Sequence, residues 1–385
     1  MTVVCIEGWR DISHSYALVN QWQMLSLLDR GLELRHRDRP PYRAEWAKAA
    51  HGSGLSEADR RRIADVPPPR PGETLDLVYR MTFPADLTPA DARRWGVFVT
   101  CELQSARGVF VQANPAQAAR REDVFVVTPS QWSRTGLLKA GFAERQVHVV
   151  PHGVDPATFA PVPPALRASV RASLGLAPDA FVLLSVGAMT GNKGIVWLLL
   201  AYAHLRGRYP HVRLVLKDQS VLYGLTGRKE VAALRVQPAG RVLTDAVIDS
   251  IVFESRPLSV AQLRALYGAA DAYVSPYMAE GFGLTPLEAA ACGVPIVVTQ
   301  GGATDEYFHP CLGLPIASDL HHRADESWCV PRLESLIAAL TRLVEGRADC
   351  GGAAASAYVH RHFSWAAVTE RLCAVWGAAA HRPDP

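Results

Sequence analysis

Residues 271–302 read DAYVSPYMAEGFGLTPLEAAACGVPIVVTQGG, and this stretch decides the fold that is predicted for the chain. An apolar run at 272–275 ends at a proline, and a β-branched run at 294–299 leads to two glycines, so both are predicted to be buried strands. Between them, residues 285–292 have the pattern of a helix. The stretch therefore predicts a strand, a loop, a helix and a strand, which is the repeating unit of a parallel α/β sheet.

The start of this helix carries a capping pattern. Thr285 has the residue type of an N-cap, Pro286 suits the first helical position, and Glu288 stands three residues after the cap, as in a capping box. Glu288 could therefore serve only the cap. Glu280 has no such explanation, because it precedes a glycine in an apolar loop, where a binding carboxylate is more expected than a structural one.

The loop before the helix suits a ligand that carries both phosphate and hydroxyl groups. Gly281 and Gly283 let the backbone approach a ligand, and the helix N-terminus offers N–H groups to an anion. Glu280 and Glu288 bracket the same position, and their carboxylates are suited to accept hydrogen bonds from sugar hydroxyls. A nucleotide sugar has both kinds of group.

The sequence EGFGLTPLEAAACGVPIV, which begins at Glu280, resembles the signature of retaining GT-B glycosyltransferases, particularly glycosyltransferase family 4. The resemblance implies that Glu280 and the backbone amides after it hold the donor sugar and phosphate, and that Glu288 holds the ribose hydroxyls. These amides belong to Gly281, Phe282, Gly283 and Leu284. It also implies a GT-B fold, in which two Rossmann-like α/β domains face each other across a cleft and a C-terminal helix packs back on the first domain. The resemblance covers residues 124–376 well and the first 123 poorly.

Length and composition agree with a two-domain enzyme. The 385 residues are too many for one ordinary core. We expect an acceptor-binding domain at 1–160, a nucleotide-sugar-binding domain at 161–360 and the returning helix at 361–385. A net charge of +3, from 40 basic and 37 acidic residues, does not indicate a nucleic-acid partner.

The cysteines and the apolar runs bear on the location of the protein. Seven cysteines without a C-x-x-C pair lie in apolar segments, which predicts reduced, buried thiols and a cytoplasmic protein. No signal peptide is expected at the N-terminus, and no apolar run has the roughly 18 residues of a membrane span.

The loop after the first predicted strand, residues 2–6, should face the ligand crevice of an open α/β sheet. Gly8, Trp9 and His14 are therefore candidate acceptor-binding residues, and His14 is also a candidate catalytic group. A local capping or surface role for His14 is equally open. The resemblance would place a histidine after a later strand, where this chain has Glu102 as a further acceptor-binding candidate.

The rest of the first half alternates between predicted strands and other segments, as in a parallel sheet. Residues 35–73 are rich in Arg and Pro and are predicted to be irregular, with one short helix at 56–64. Further strands are predicted at 75–79, 96–100, 124–128 and 147–150.

The second half begins with a predicted strand at 181–186 and a glycine-bearing loop that leads into a helix. Such a loop is an anion site, so Gly187 and Lys193 are candidate ligands of the diphosphate. The resemblance places a second cation, an arginine, where this chain has Ala188. Lys217, at the end of the next predicted strand, is the candidate replacement; the alternative is a lysine that points to solvent.

Together with these observations, the resemblance implies a retaining hexosyltransferase-type glycosyltransferase. It would move a sugar from a UDP- or GDP-type donor to a polysaccharide, lipid-linked or natural-product acceptor, for example an aminocyclitol. The resemblance implies that Leu258 contacts the base. No cofactor and no metal are expected, because the chain has no Asp-x-Asp motif. The candidate catalytic residues are Glu280, Lys193, Lys217 and His14. Two alternatives remain: an inactive nucleotide-sugar-binding partner, and a nucleotide-sugar epimerase.

Overall fold

The computed structural model describes residues 3–12, 14–44, 46, 55–111 and 115–377. Its contacts divide the chain into two compact units. The first unit contains Met1–Gly153, Ala324–Glu326 and Phe363–Pro385, and the second contains Val154–Arg323 and Ser327–His362. The domain boundaries expected at residues 160 and 360 stay predictions.

The first unit is built on a parallel sheet of six strands, in the order β2-β1-β3-β5-β7-β8. Its strands are β1 (Val3–Gly8), β2 (Glu33–Asp38), β3 (Leu77–Met81), β4 (Ala85–Asp86), β5 (Arg94–Phe98), β6 (Phe110–Val111), β7 (Val124–Thr128) and β8 (Val147–Val149). Its first helices are α1 (Ser15–Asp29), α2 (Glu57–Ala64), α3 (Pro115–Ala118) and α4 (Gln131–Lys139). The short strands β4 and β6 pair separately.

The second unit has another six-stranded parallel sheet, in the order β11-β10-β9-β12-β13-β14. Its sheet strands are β9 (Phe181–Gly187), β10 (Val212–Asp218), β11 (Ile251–Glu254), β12 (Ala272–Ser275), β13 (Ile296–Thr299) and β14 (Gly313–Ile316). A separate two-stranded sheet consists of β15 (Ser318–Arg323) and β16 (Glu326–Pro331). The helices are α5 (Pro164–Ser173), α6 (Ile195–Arg208), α7 (Ser220–Tyr223), α8 (Gly227–Arg235), α9 (Asp245–Asp249), α10 (Val260–Ala269), α11 (Leu284–Ala291), α12 (Leu333–Val344) and α13 (Gly352–Phe363).

The last helix, α14 (Trp365–Trp376), belongs to the first unit. The Trp22 and Trp365 rings stack with their centroids 6.5 Å apart, and Arg94 Nη1 donates a hydrogen bond of 3.1 Å to the Trp376 carbonyl. The predicted return of a C-terminal helix to the first domain is therefore confirmed.

Both sheets are Rossmann-like, which confirms the predicted α/β fold. The clearest error concerns β2, which lies partly in the segment predicted to be irregular. Its sequence, ELRHRD, buries Leu34, Arg35 and His36, so charged side chains concealed the strand pattern.

Among the described helices, none has a stretch that is both long and apolar enough to cross a membrane.

Candidate functional site

The strand order of the second unit locates a candidate binding edge. The chain order reverses between β9 and β12, which are neighbours in the sheet. Open α/β sheets bind ligands outside the carboxyl ends of their strands at such a switch point. The loops that leave β9 and β12 contain Lys193 and Glu280.

Asn192 joins these two loops. Its carbonyl accepts hydrogen bonds from the N–H groups of Met278 at 2.7 Å and Ala279 at 3.2 Å, and its side-chain nitrogen donates to the Ala279 carbonyl at 3.1 Å. Gly194 has a φ of 68°, and a Cβ atom there would collide with the Pro276 carbonyl oxygen. The close approach of the loops therefore requires glycine at this position.

Lys193 and Glu280 form an ion pair, with 2.7 Å between Nζ and Oε1. Their side chains are 23% and 16% exposed, so both remain accessible at the edge of the sheet. An ammonium group has three N–H donors, so Lys193 can bond Glu280 and a phosphate oxygen together. The structure thus brings together the two residues that were predicted to hold the diphosphate and the sugar.

The start of α11 differs from the prediction. Gly283, with a φ of 89°, is the N-cap, so the assignment of Thr285 as cap and Pro286 as first helical residue is wrong. The reason is that the Thr285 hydroxyl has another partner. It accepts a hydrogen bond of 2.7 Å from the Tyr273 hydroxyl. No side chain caps the helix at Gly283, so the first turn offers its N–H groups at a positive helix end.

The loop before α11 is held in place by Tyr307. Its hydroxyl donates a hydrogen bond of 2.8 Å to the Gly283 carbonyl, and its ring lies 5.1 Å from the ring of Phe282, which is buried. Phe282 therefore presents only its backbone to a ligand. Gly281 precedes it in the same loop, and Leu284 follows Gly283 as the first residue of α11.

Glu288 is buried within α11, with 5% of its surface exposed. The Tyr267 hydroxyl donates a hydrogen bond of 2.7 Å to its carboxylate. Burial raises the pKa of Glu288 to about 7, although the hydrogen bond from Tyr267 favours the charged form. The capping-box explanation for Glu288 is wrong, because the N-cap is Gly283, two residues before the Thr285 that this explanation requires.

Lys217 lies inside β10 and is 5% exposed, so the alternative of a lysine that points to solvent is wrong. It is in register with Val186 on one side and with Glu254 on the other. Its Nζ donates a hydrogen bond of 2.5 Å to the Asp218 carbonyl. Burial lowers the pKa of Lys217, and the charges of Asp218 and Glu254 oppose this effect.

Three further residues lie at the same edge of the second sheet. Gly187 ends β9 with a φ of 148°, and a Cβ atom there would contact nothing within 4 Å. Ala188 follows it and is half-buried. Leu258 is half-buried in the loop between β11 and α10, and its contact with a base stays a prediction.

The candidates in the first unit have local structural roles. Gly8 ends β1, and Trp9 is buried with its indole N–H donating to the Pro40 carbonyl at 3.0 Å. Glu102 is exposed, and its carbonyl accepts a hydrogen bond of 2.7 Å from the indole of Trp132. Their roles in acceptor binding stay predictions.

His14 is the N-cap of α1, as the capping alternative proposed. Its Nδ1 accepts a hydrogen bond of 3.2 Å from the Tyr16 backbone, and its ring stacks on Trp46 with centroids 4.7 Å apart. Burial lowers the pKa of His14 to about 4, so the ring is neutral near pH 7. A catalytic role for His14 stays a prediction.

Sequence reasoning missed Asn192, Tyr267 and Tyr273, which support the site. Tyrosines in a predicted helix or strand are often core residues, so residue type alone did not mark Tyr267 and Tyr273 as part of the site. Asn192 stands between a glycine and Lys193, and this turn-forming pattern could have indicated that Asn192 shapes the loop.

Comparisons with solved structures bear on the fold. The structure is similar to Anabaena Alr3699/HepE in complex with UDP-glucose, with a TM-score of 0.68, 16% identity and coverage of 98% of this chain and 100% of the other. It is also similar to a glycosyltransferase from Rickettsia africae ESF-5, with a TM-score of 0.70, 13% identity and coverage of 97% and 98%. At these identities the similarity shows the GT-B fold alone.

Residues 167–311 match the family model of Glycosyl transferases group 1. The chain is 39% identical over 181 residues to the D-inositol 3-phosphate glycosyltransferase of Pseudarthrobacter chlorophenolicus, covering 47% of this chain and 40% of that protein. It is 30% identical over 231 residues to the alpha-maltose-1-phosphate synthase of Mycobacterium tuberculosis, covering 60% and 56%. The chain spans about half the length of the curated relatives it matches. The resemblance to GT-B glycosyltransferases is confirmed.

Proposed function

We propose that the chain is a retaining glycosyltransferase that moves a sugar from a nucleotide diphosphate sugar to a hydroxyl group of an acceptor. The Lys193–Glu280 pair carries this proposal, because it places a cation and a carboxylate 2.7 Å apart beside an uncapped helix start. A donor of UDP or GDP type has the matching groups, namely a diphosphate, sugar hydroxyls and a ribose. The relatives support it through their names, since they are glycosyltransferases or a sugar phosphate synthase.

Each part of the donor has a proposed partner in the second unit. The diphosphate binds Lys193 and the N–H groups at the start of α11, where the helix dipole favours an anion. Glu280 accepts hydrogen bonds from the transferred sugar. Glu288 accepts them from the ribose, and Leu258 contacts the base.

The reaction breaks the bond between the anomeric carbon and the diphosphate oxygen, and that oxygen keeps the electron pair. The acceptor oxygen forms its bond on the same face of the sugar, through a state with oxocarbenium character. The departing phosphate takes the acceptor proton, so Glu280 binds hydroxyl groups and is not the nucleophile. Side-chain cations and helix N–H groups balance the leaving charge, so no metal is required.

The first unit binds the acceptor in this proposal. Its candidate residues are Gly8, Trp9, His14 and Glu102. A polysaccharide, a lipid-linked sugar or a natural product such as an aminocyclitol fits the requirement for a hydroxyl group.

Binding and turnover of UDP-, GDP- and ADP-sugars by the whole chain test the function. We expect one nucleotide class to bind in calorimetry and to release its diphosphate slowly without an acceptor. Lys193→Ala should weaken binding, whereas Lys229→Ala should not, because Lys229 is exposed on α8 and bonds the Gly224 carbonyl. Failure of all donors to bind would refute the proposal.

Two outcomes of the same experiment would favour the alternatives. Tight binding without release of the sugar to any acceptor or to water indicates an inactive binding partner. Conversion of the donor into its sugar epimer, followed by NMR, indicates an epimerase.

A further inference from the structure

Lys217 is a buried lysine whose ammonium group bonds a backbone carbonyl. Its side chain lies inside the second sheet and donates a hydrogen bond to a backbone carbonyl, that of Asp218. Within the described part of the chain, no ion pair of 4.0 Å or less joins Lys217 to an acidic side chain. Burying a charge in this way costs folding free energy, which is usually offset by a partner. The arrangement is therefore suited to an anion that arrives from outside.

The position of Lys217 in the sheet is next to the proposed diphosphate site. Its register partner on β9 is Val186, which directly precedes Gly187. The carbonyl of Val186 accepts a hydrogen bond of 3.0 Å from the Tyr273 hydroxyl, which also bonds Thr285 in the first turn of α11. One strand, β9, thus separates Lys217 from β12, which leads to the helix start that is proposed to receive the phosphate.

The side chain of Lys217 lies on the same face of the sheet as Tyr273, which contacts the start of α11. Leu216, its neighbour in β10, belongs to the core that packs against α6 and α12, so Lys217 faces the opposite side. Val215 is on that same opposite side and is in register with Leu184, which is in register with Tyr273. Lys217 and the tyrosine that contacts α11 therefore share one face.

The chain lacks a cation at the neighbouring position. Ala188 follows Gly187 in the diphosphate loop and has only a methyl group. Lys193, the cation of this loop, divides its charge between Glu280, at 2.7 Å, and any phosphate oxygen that it binds. A leaving diphosphate gains negative charge in the transition state, and preorganised positive groups are usually the largest single contribution to catalysis.

We propose that Lys217 is a catalytic residue that contacts the departing diphosphate and supplies the cation absent at Ala188. This inference rests on the proposed glycosyl transfer. When the bond to the anomeric carbon breaks, the electron pair stays on the diphosphate oxygen. Lys217 donates a hydrogen bond to the diphosphate and keeps its proton. Asp218 and Glu254 support the ammonium charge until the donor binds.

Three variants of the whole chain test this role: Lys217→Met, Lys217→Met with Ala188→Arg, and Lys229→Met as a control for the loss of one lysine. We expect Lys217→Met to lower kcat about 100-fold or more, by analogy with the loss of one transition-state donor. The KM for the donor should change less than kcat. Adding Arg at position 188 should restore part of kcat, and Lys229→Met should leave both constants unchanged.

The melting temperature of each variant separates catalysis from folding. Lys217→Met should melt at or above the wild-type temperature, because it removes a buried charge. A kcat within threefold of wild type in Lys217→Met would overturn the inference while the proposed function stands. Loss of kcat together with a lower melting temperature and no rescue by Arg at position 188 would also overturn it. The proposed function itself is tested on the wild-type chain alone: it fails if that chain binds no donor, binds a donor without releasing its sugar, or epimerises it.

Discussion

Replacement of Glu288 by Gln should make the protein more stable at pH 8 and leave its stability almost unchanged at pH 4. The carboxyl group is buried, and burial raises its pKa from 4.5 to about 7. The folded protein therefore holds a proton on Glu288 in a pH range in which the unfolded chain has lost it. By linkage, the folded state loses stability as the pH rises from about 4.5 towards 7 and beyond.

The size of this effect follows from the two pKa values. The difference between 4.5 and about 7, at about 1.36 kcal/mol for each pH unit, gives a penalty of about 3 kcal/mol above pH 7. Gln at position 288 keeps an acceptor for the Tyr267 hydroxyl, so the bond of 2.7 Å has a substitute. The variant should thus lack the penalty, while its binding of nucleotide weakens by about 1–3 kcal/mol because the carboxylate proposed to bind the ribose is lost.

Urea unfolding of both proteins at pH 5, 6, 7 and 8 measures the effect directly. We expect the two stabilities to converge at low pH and to separate as the pH rises, with the variant more stable. Parallel curves would refute the reasoning about burial. A variant that is less stable at every pH would indicate a structural carboxylate, and unchanged nucleotide affinity would remove Glu288 from the ribose site.

Three other predictions follow from the same site. Turnover should survive EDTA because side-chain cations are proposed to carry the diphosphate, and a loss that Mg²⁺ or Mn²⁺ restores would contradict this. Lys193→Ala should lower kcat about 100-fold, measured as release of nucleotide diphosphate. An effect no larger than that of Lys229→Ala would exclude Lys193 from the site. Gly194→Ala should destabilise the chain by about 2 kcal/mol or more in urea unfolding, because φ is 68° and the Cβ would meet Pro276. Gly191→Ala is the matched control, since a Cβ there contacts nothing within 4 Å, and equal losses in both would refute the clash.

The sequence predicted the strands best where its pattern of apolar residues fits only one type of secondary structure. Val124–Thr128 and Ala272–Ser275 are strands with the predicted bounds, because each is a short, largely apolar run between an aspartate and a proline. It predicted poorly where polar side chains are buried in pairs. Arg35 of β2 lies in the sheet and bonds Glu73 at 2.6 Å, a partner 38 residues away that no local pattern shows.

The start of α11 shows a second limit of local patterns. The Thr-Pro-x-Glu sequence at 285–288 satisfies the rules for a cap, and the helix nevertheless begins at Leu284. Tyr273 and Tyr307 decide the difference, since one bonds the Thr285 hydroxyl and the other the Gly283 carbonyl. These tertiary contacts favour the earlier start, and they leave the helix end without a side-chain cap.

The residue types of the second unit indicate the ligand more clearly than those of the first unit. A diphosphate and a ribose restrict the side chains that can bind them to cations, carboxylates and backbone amides, so Lys193, Glu280 and Glu288 stood out in the sequence and lie at or near one edge in the structure. In the first unit, Trp9 and His14 have residue types that serve packing and capping as well as binding, and the structure uses them in these ways. An unknown acceptor imposes no such restriction. For this reason, a screen that begins with the donor and then varies the acceptor has the greater chance of defining the reaction.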